Sequence, residues 1–158
     1  MAVITKRSNS FLGDKRGSTK LDGQGNHTKQ SNLLNQAVAV YGTLKRGKGN
    51  HPLLSEALFV GTAKTKNKYP LVIRNWGLPF LINKPNVGYN VEVEIYLVDQ
   101  NMLNRLDILE GHPDWYRRKR RKFILLEDGY DKLEMEAWVY FGPDENLDVG
   151  GGVYYERY

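Results

Sequence analysis

"YNVEVEIYLVDQNMLNRLDILEG", Tyr89–Gly111, changes its period halfway. Up to Val98 the residues alternate. Val91, Val93 and Ile95 face one way and Glu92, Glu94 and Tyr96 the other, the two-residue period of a strand. From Asp99 the period is helical, with Met102, Leu103, Leu106 and Leu109 on one stripe. Asp99 is placed to cap the first turn, and Gly111 stands where a C-terminal glycine belongs. A strand therefore runs straight into a helix, and the last helical residue is Glu110.

Working outward, strands dominate. Val38–Tyr41 (VAVY) is a short apolar run that reads as a buried strand and stops at Gly42. His51–Gly61 (HPLLSEALFVG) predicts a short helix or turn. Gly61–Asn75 predicts extended segments broken at Pro70, and Gly77–Pro85 (GLPFLINKP) is an apolar stretch between breakers. Tyr116–Glu127 and Leu133–Phe141 flank Asp128–Lys132 (DGYDK), an Asp-Gly hairpin turn. Gly142–Tyr158 is loop-like until its aromatic end. Many strands with few short helices imply an α+β fold built on a curved sheet or small barrel.

Composition sets the outer limits. The chain has 158 residues, 41% hydrophobic and 26% charged, the make-up of one ordinary globular domain. It has no cysteine, which excludes disulfides, thiolate metal sites and cysteine nucleophiles. His27, His51 and His112 are scattered and lack metal-ligand spacing, so no metal is expected. No apolar run is long enough to span a bilayer and the N-terminus has no apolar signal core, so a cytoplasmic setting is expected. Residues 1–36 are polar and aperiodic and read as a flexible basic tail, with residues 37–158 as the folded domain. Six of the net +5 formal charge's basic residues lie in that tail against Asp14 and Asp22, a surplus of +4, which leaves +1 for the rest. The body is not the strongly basic surface that nucleic acid selects.

Three features could carry chemistry. A strand ending in Gly42 can turn its following amides toward a concave face that receives an anion or a developing oxyanion. The missing Cβ lets a ligand approach closely, and Thr43 adds a hydroxyl. The alternative is an ordinary turn glycine. Glu110 ends a helix, where the partial negative charge of the carbonyls opposes it. Partly desolvated, it would have a raised pKa and suit a general base; the alternative is a solvated surface residue. Asp107, one turn earlier, could be its partner carboxylate; the alternatives are that it faces solvent or pairs with a nearby arginine. Arg117–Lys122 is six basic residues in a row, read as protection of an edge strand or a solvated face, with nucleic-acid contact as the other reading.

The ordered set "VYGTLKRGKGNHPLL", "GLPFL", "LDILEGHPDWYRR" and "AWVYF" resembles the γ-glutamylcyclotransferase-like proteins, and within them the γ-glutamylamine cyclotransferase and AIG2-like branch. The resemblance spans Val38–Phe141. It implies a small mixed β-barrel with flanking short helices, and a reaction that turns an L-γ-glutamyl compound into 5-oxoproline and releases an amine or amino acid. It places Tyr41, Gly42, Thr43 and Leu44 along the substrate cavity, Glu110 at the catalytic glutamate, and Tyr116 and Tyr140 near the substrate. The partner implied is a small γ-glutamyl molecule, with no metal, organic cofactor or membrane. Leu44 would anchor its loop in the core. Lys45 and Arg46 would face solvent, unless one draws in the substrate α-carboxylate. The departing half would be read by Trp76–Phe80 and the glycine-rich end. The competing expectation is a non-catalytic binding protein on the same barrel, using the tail and the basic run. The position of Glu110 relative to Gly42–Leu44 separates the two.

Overall fold

The computed structural model describes residues 33–127, 133–143 and 153–158. Most of the expected tail (residues 1–32), the Asp128–Lys132 turn and the glycine-rich residues 149–152 lie outside the described residues. Gln36 already belongs to the first strand, one residue before the expected boundary.

Seven strands and one helix make the described fold. They are β1 (Gln36–Val40), β2 (Leu58–Thr65), β3 (Leu71–Arg74), β4 (Leu78–Leu81), β5 (Glu92–Val98), α1 (Gln100–Glu110), β6 (Arg117–Leu125) and β7 (Glu134–Phe141), with a 3₁₀ turn at His51–Leu54. Five strands close a barrel in the order β1-β5-β2-β6-β7. The closing pair, β1 with β7, is parallel at Val38↔Trp138, and the other barrel pairs are antiparallel. β3 and β4 form a separate two-stranded hairpin. The α+β mixed barrel is the fold the sequence implied.

Strand alternation sorts the apolar residues into two cores. Ala39, Tyr41, Val93, Ile95, Phe123, Val139 and Phe141 share one cluster, which fills the barrel. Their neighbours on the opposite strand faces, Val38, Val40, Tyr96, Val98 and Tyr140, pack with Met102, Leu103 and Leu106 of α1. β1 is covered on both sides, which is why its sequence is a continuous apolar run and does not alternate. In β5, the face bearing Glu94 and Tyr96 is also buried. The Glu94 carboxylate accepts from the Tyr96 hydroxyl (2.8 Å) and from the Arg46 amide (2.9 Å). Those bonds satisfy a charge that would otherwise be costly to bury.

The helix forms as its caps dictate. Asp99 Oδ1 accepts from Met102 N at 2.7 Å, and Gly111 ends the helix at φ 62°, ψ 34°. Met102, Leu103 and Leu106 are buried, each such side chain contributing about 1.5–3 kcal/mol. Leu109, expected on the same stripe, is half-exposed and points to the pocket described below.

The basic run lies on β6. That strand is paired with β7 along its length, but β2 joins it only over Phe123–Leu125. Its charges are largely met from neighbouring strands: Arg120 Nη1 with Glu136 (3.2 Å), Lys122 with Glu134 (3.7 Å), and Arg121 Nη2 with Asn83 Oδ1 (2.9 Å). Arg118 turns inward toward α1.

Candidate active site

The end of β1 and the end of α1 meet at a pocket of about 140 Å³. Ala39–Leu44 form one wall, Leu78 and Pro79 of β4 a second, and Leu109, Glu110, Trp115, Tyr116 and Tyr140 the third. Every residue singled out from the sequence as a site residue therefore lines one cavity. Glu110 and the Gly42–Leu44 loop, 66 to 68 positions apart in the chain, share it.

The loop is held from several directions. Lys45 N donates to Gly42 O at 3.0 Å, which closes the turn. Among the described residues, no backbone carbonyl receives the amides of Gly42, Thr43 or Leu44, and all three residues line the pocket. Leu44 is buried in the helix-side core, as expected of an anchor. Thr43 is gripped twice by Asn50, whose Nδ2 donates to Thr43 Oγ1 (2.9 Å) and whose N donates to Thr43 O (3.0 Å). Asn50 lines the pocket and was missed by sequence reading. Its only signal was a turn-forming type just before His51-Pro52. Gly42 also has a packing role. A Cβ there would meet Pro79 Cγ at 2.7 Å, so the glycine lets β4 pack onto the loop.

Of the two cations after the loop, Lys45 does not face solvent, contrary to expectation, whereas Arg46 does, and neither lines the pocket. Lys45 is buried, its Nζ 3.5 Å from Glu92 Oε1 and 3.4 Å from Tyr158 O. Arg46 lies over the Phe59 ring at 3.9 Å, with Nε 3.5 Å from Glu94. Both fasten the loop to β5. No lysine or arginine lines the pocket among the described residues.

The three tyrosines differ in what their hydroxyls do. Tyr41 Oη donates to Tyr140 O (2.9 Å) and accepts from Leu81 N (3.3 Å), so it braces three segments. Tyr116 Oη donates to Pro79 O at 3.2 Å, and its ring stacks on Phe80. Tyr140 Oη donates to Asp107 Oδ1 at 2.7 Å. Asp107 is paired with an arginine: Arg118 Nε and Nη2 reach its two oxygens at 2.7 and 3.1 Å. Burial would raise the Asp107 pKa, but the Arg118 and Tyr140 hydrogen bonds outweigh it and hold it below the usual aspartate range.

Glu110 has the opposite setting. Among the described residues no hydrogen-bond donor or cation meets its carboxylate, and burial pushes its pKa up to about 7. Burial also raises all three tyrosine hydroxyls, and the Glu110 charge raises them further. The cause at Glu110 is desolvation, which prevails over any effect of the helix end. A carboxyl poised near neutrality in a pocket can take up and return a proton. Among the described residues no group of His, Asp and Glu side chains could hold a metal ion, and no helix is long and apolar enough to cross a membrane.

The reading-side expectations divide. Leu78 and Pro79 reach the pocket, whereas Trp76, at φ 71° on the β3–β4 turn, is almost fully exposed.

Comparisons with known proteins converge on one group. A sequence profile described as "Gamma-glutamyl cyclotransferase, AIG2-like" matches residues 38–157. Gamma-glutamylaminecyclotransferase C of Danio rerio is 44% identical over 132 residues, covering 72% of this chain and 87% of that protein. Gamma-glutamylaminecyclotransferase of Homo sapiens is 43% identical over 97 residues, covering 58% of this chain and 63% of that protein. The crystal structure of an AIG2-like protein from Mus musculus superposes with a TM-score of 0.70 at 34% identity, covering 78% of this chain and 87% of that one. The matched span begins at Val38, where β1 enters the barrel, and takes in the loop, the helix and every residue lining the pocket. With this barrel and this pocket inside the matched span, the chain belongs to the γ-glutamyl cyclotransferase, AIG2-like family.

Proposed function

We propose that the protein is a γ-glutamylamine-type cyclotransferase that releases 5-oxoproline from L-γ-glutamyl substrates, with Glu110 as the proton carrier. The observation that carries this reading is the unpaired, desolvated Glu110 carboxylate, facing the same small pocket as the Gly42–Leu44 amides. The names of the relatives from Danio rerio and Homo sapiens favour γ-glutamyl amines as the substrate class.

The substrate brings its own nucleophile. Its α-nitrogen attacks the γ-carbonyl carbon, the new C–N bond closes a five-membered ring, and the bond to the departing nitrogen breaks. The α-ammonium carries three protons and the lactam nitrogen keeps one. The departing nitrogen gains the other two and leaves as an ammonium, so charge and atoms balance. Glu110, with a pKa of about 7, takes a proton from the α-nitrogen and returns it to the leaving group. The loop amides receive the carbonyl oxygen as it becomes an oxyanion, a donor worth about 3–4 kcal/mol in comparable sites. With no cation lining the pocket among the described residues, the α-carboxylate is left to the same amides and to the Thr43 and Asn50 side chains. Folding the substrate chain into ring-closing geometry adds an effective molarity that reaches about 10⁵ M or more in well-oriented cases.

The test is a panel of γ-glutamyl alkylamines and γ-glutamyl dipeptides assayed for 5-oxoproline, with Glu110→Gln as the control. Release by the wild type and its loss in a folded Glu110→Gln variant are expected. A fully active variant would refute the role of Glu110, and no release from any panel member would refute the reaction.

A further inference from the structure

The pocket's hydrogen-bonding groups are sorted by polarity. On one side stand the Gly42–Leu44 backbone amides, which only donate, with Asn50 and the Thr43 hydroxyl, whose oxygen already accepts from Asn50 Nδ2. On the other stand two hydroxyls whose protons are already committed. A carbonyl oxygen and an ionised carboxylate have no proton to give. Tyr116 Oη therefore donates to Pro79 O, and Tyr140 Oη donates to Asp107 Oδ1. Each hydroxyl has one proton, so both oxygens can only accept from a further partner. Glu110, ionised, also only accepts. Arg118 fixes this arrangement at Tyr140: its two nitrogens hold both Asp107 oxygens, which keeps the carboxylate ionised and aimed.

We propose that Asp107, held by Arg118, is a positioning residue that turns the Tyr140 hydroxyl into an obligate acceptor. Tyr140, Tyr116 and Glu110 thereby form an acceptor-only wall for the substrate's α-ammonium. This rests on the cyclotransferase reading above and adds an orientation to it. The α-nitrogen lies against the tyrosine wall, and the α-carboxylate and carbonyl oxygen lie against the Gly42–Leu44 amides. The reverse placement would set a carboxylate against three acceptors with no hydrogen between them. An ammonium has three N–H donors and the wall offers three acceptors, one of which is the proton carrier. Asp107 does not line the pocket, so it acts through Tyr140 alone.

The experiment compares wild type, Asp107→Asn and Tyr140→Phe with two ligands. One is a γ-glutamyl alkylamine, assayed for KM and kcat by 5-oxoproline release. The other is the matching N-alkyl glutaramate, which lacks only the α-amine, cannot cyclise, and is measured as a competitive inhibitor. Thermal denaturation checks that each variant is folded. Tyr140→Phe deletes the accepting oxygen and keeps the ring, so it decides the matter if Asp107→Asn does not fold. The expected result is a KM raised about tenfold or more for the amine-bearing substrate, the size of one hydrogen bond to a charged group. The inhibition constant of the glutaramate should stay within about twofold. A glutaramate constant that rises as much as KM would overturn the proposal, because Asp107 would then only hold the shape of the pocket. Unchanged values for both ligands would overturn it as well. A wild type that releases no 5-oxoproline fails the cyclotransferase reading itself, whereas normal wild-type release without amine-selective losses fails only the wall.

Discussion

Asp107 and Glu110 stand three residues apart at the end of one helix, and the fold gives them opposite surroundings. Asp107 is enclosed by donors: two arginine nitrogens and a tyrosine hydroxyl. Glu110 is enclosed by apolar surface and by hydroxyls whose protons point elsewhere. One carboxyl is held below its usual pKa and the other is pushed up to about 7. Separate acid–base behaviour for two neighbouring carboxyls is how a site obtains one fixed charge and one mobile proton. The helix supplies the spacing, and β6, by sending Arg118 back to Asp107 and not to Glu110, supplies the difference.

The comparison can be broken at its strongest point first. If Glu110 carries the proton, replacing it by Gln should lower kcat/KM for 5-oxoproline release by about 10²–10⁴-fold, the usual weight of a general acid–base. A loss of less than tenfold would mean that the proton travels by another route. The pH profile comes next. If ionised Glu110 is the base, kcat/KM should rise about tenfold per pH unit below a pKa near 7 and level off above it. A profile flat from pH 5 to 8 in the wild type would contradict that.

Stability should move in opposite directions at the two positions. Asp107→Ala leaves Arg118 half-buried without its partner and should cost about 1–3 kcal/mol in chemical denaturation. Glu110 has a native pKa above its unfolded one, so its sign is reversed. Below about pH 4.5 both states are protonated and it costs nothing. Between there and pH 7 the native state progressively loses stability, and above pH 7 it bears the full cost of a buried charge. Glu110→Gln should therefore melt higher than the wild type at pH 8 and match it at pH 4.5. A variant that melts lower at pH 8 would show that the carboxylate has a stabilising partner. The smallest effect is expected at Arg120, whose pair with Glu136 is solvent-exposed on the same strand as Arg118. Arg120→Ala should change stability by about 0.5 kcal/mol or less. A larger change would place its energy in the Trp138 ring beneath it.

The contrast also shows what local sequence could and could not reveal. The helix was legible from end to end because its signals are local: the Asp99 cap, the stripe and Gly111. Val38–Tyr41 was legible as a buried strand, and the β6–β7 pairing followed from its flanking runs. Closure of the barrel was not, because Val38↔Trp138 joins residues that no short-range pattern links. The partner of Asp107 was left open between solvent and an arginine. Nothing in "YRRKRRK" distinguishes Arg118 from its five neighbours until β6 is placed beside α1. The burial of Lys45 was missed for the same reason, since its acidic partner Glu92 lies on β5. Gly42 stood out for its openness to a ligand, yet its tightest contact is Pro79, which belongs to a hairpin whose docking cannot be read from a turn.

The parallel seam between β1 and β7 has a consequence in time. β1 carries one wall of the pocket, and it joins β7 across the longest loop of any strand pair in the barrel. Pairing over that span carries the largest loop-closure cost in the barrel and is expected late, while the capped helix bearing Glu110 can form early from local contacts. The wall and the proton carrier are thus assembled on different clocks. On dilution from denaturant, helical signal should return before 5-oxoproline release does, and the interval between them measures how long the barrel takes to close.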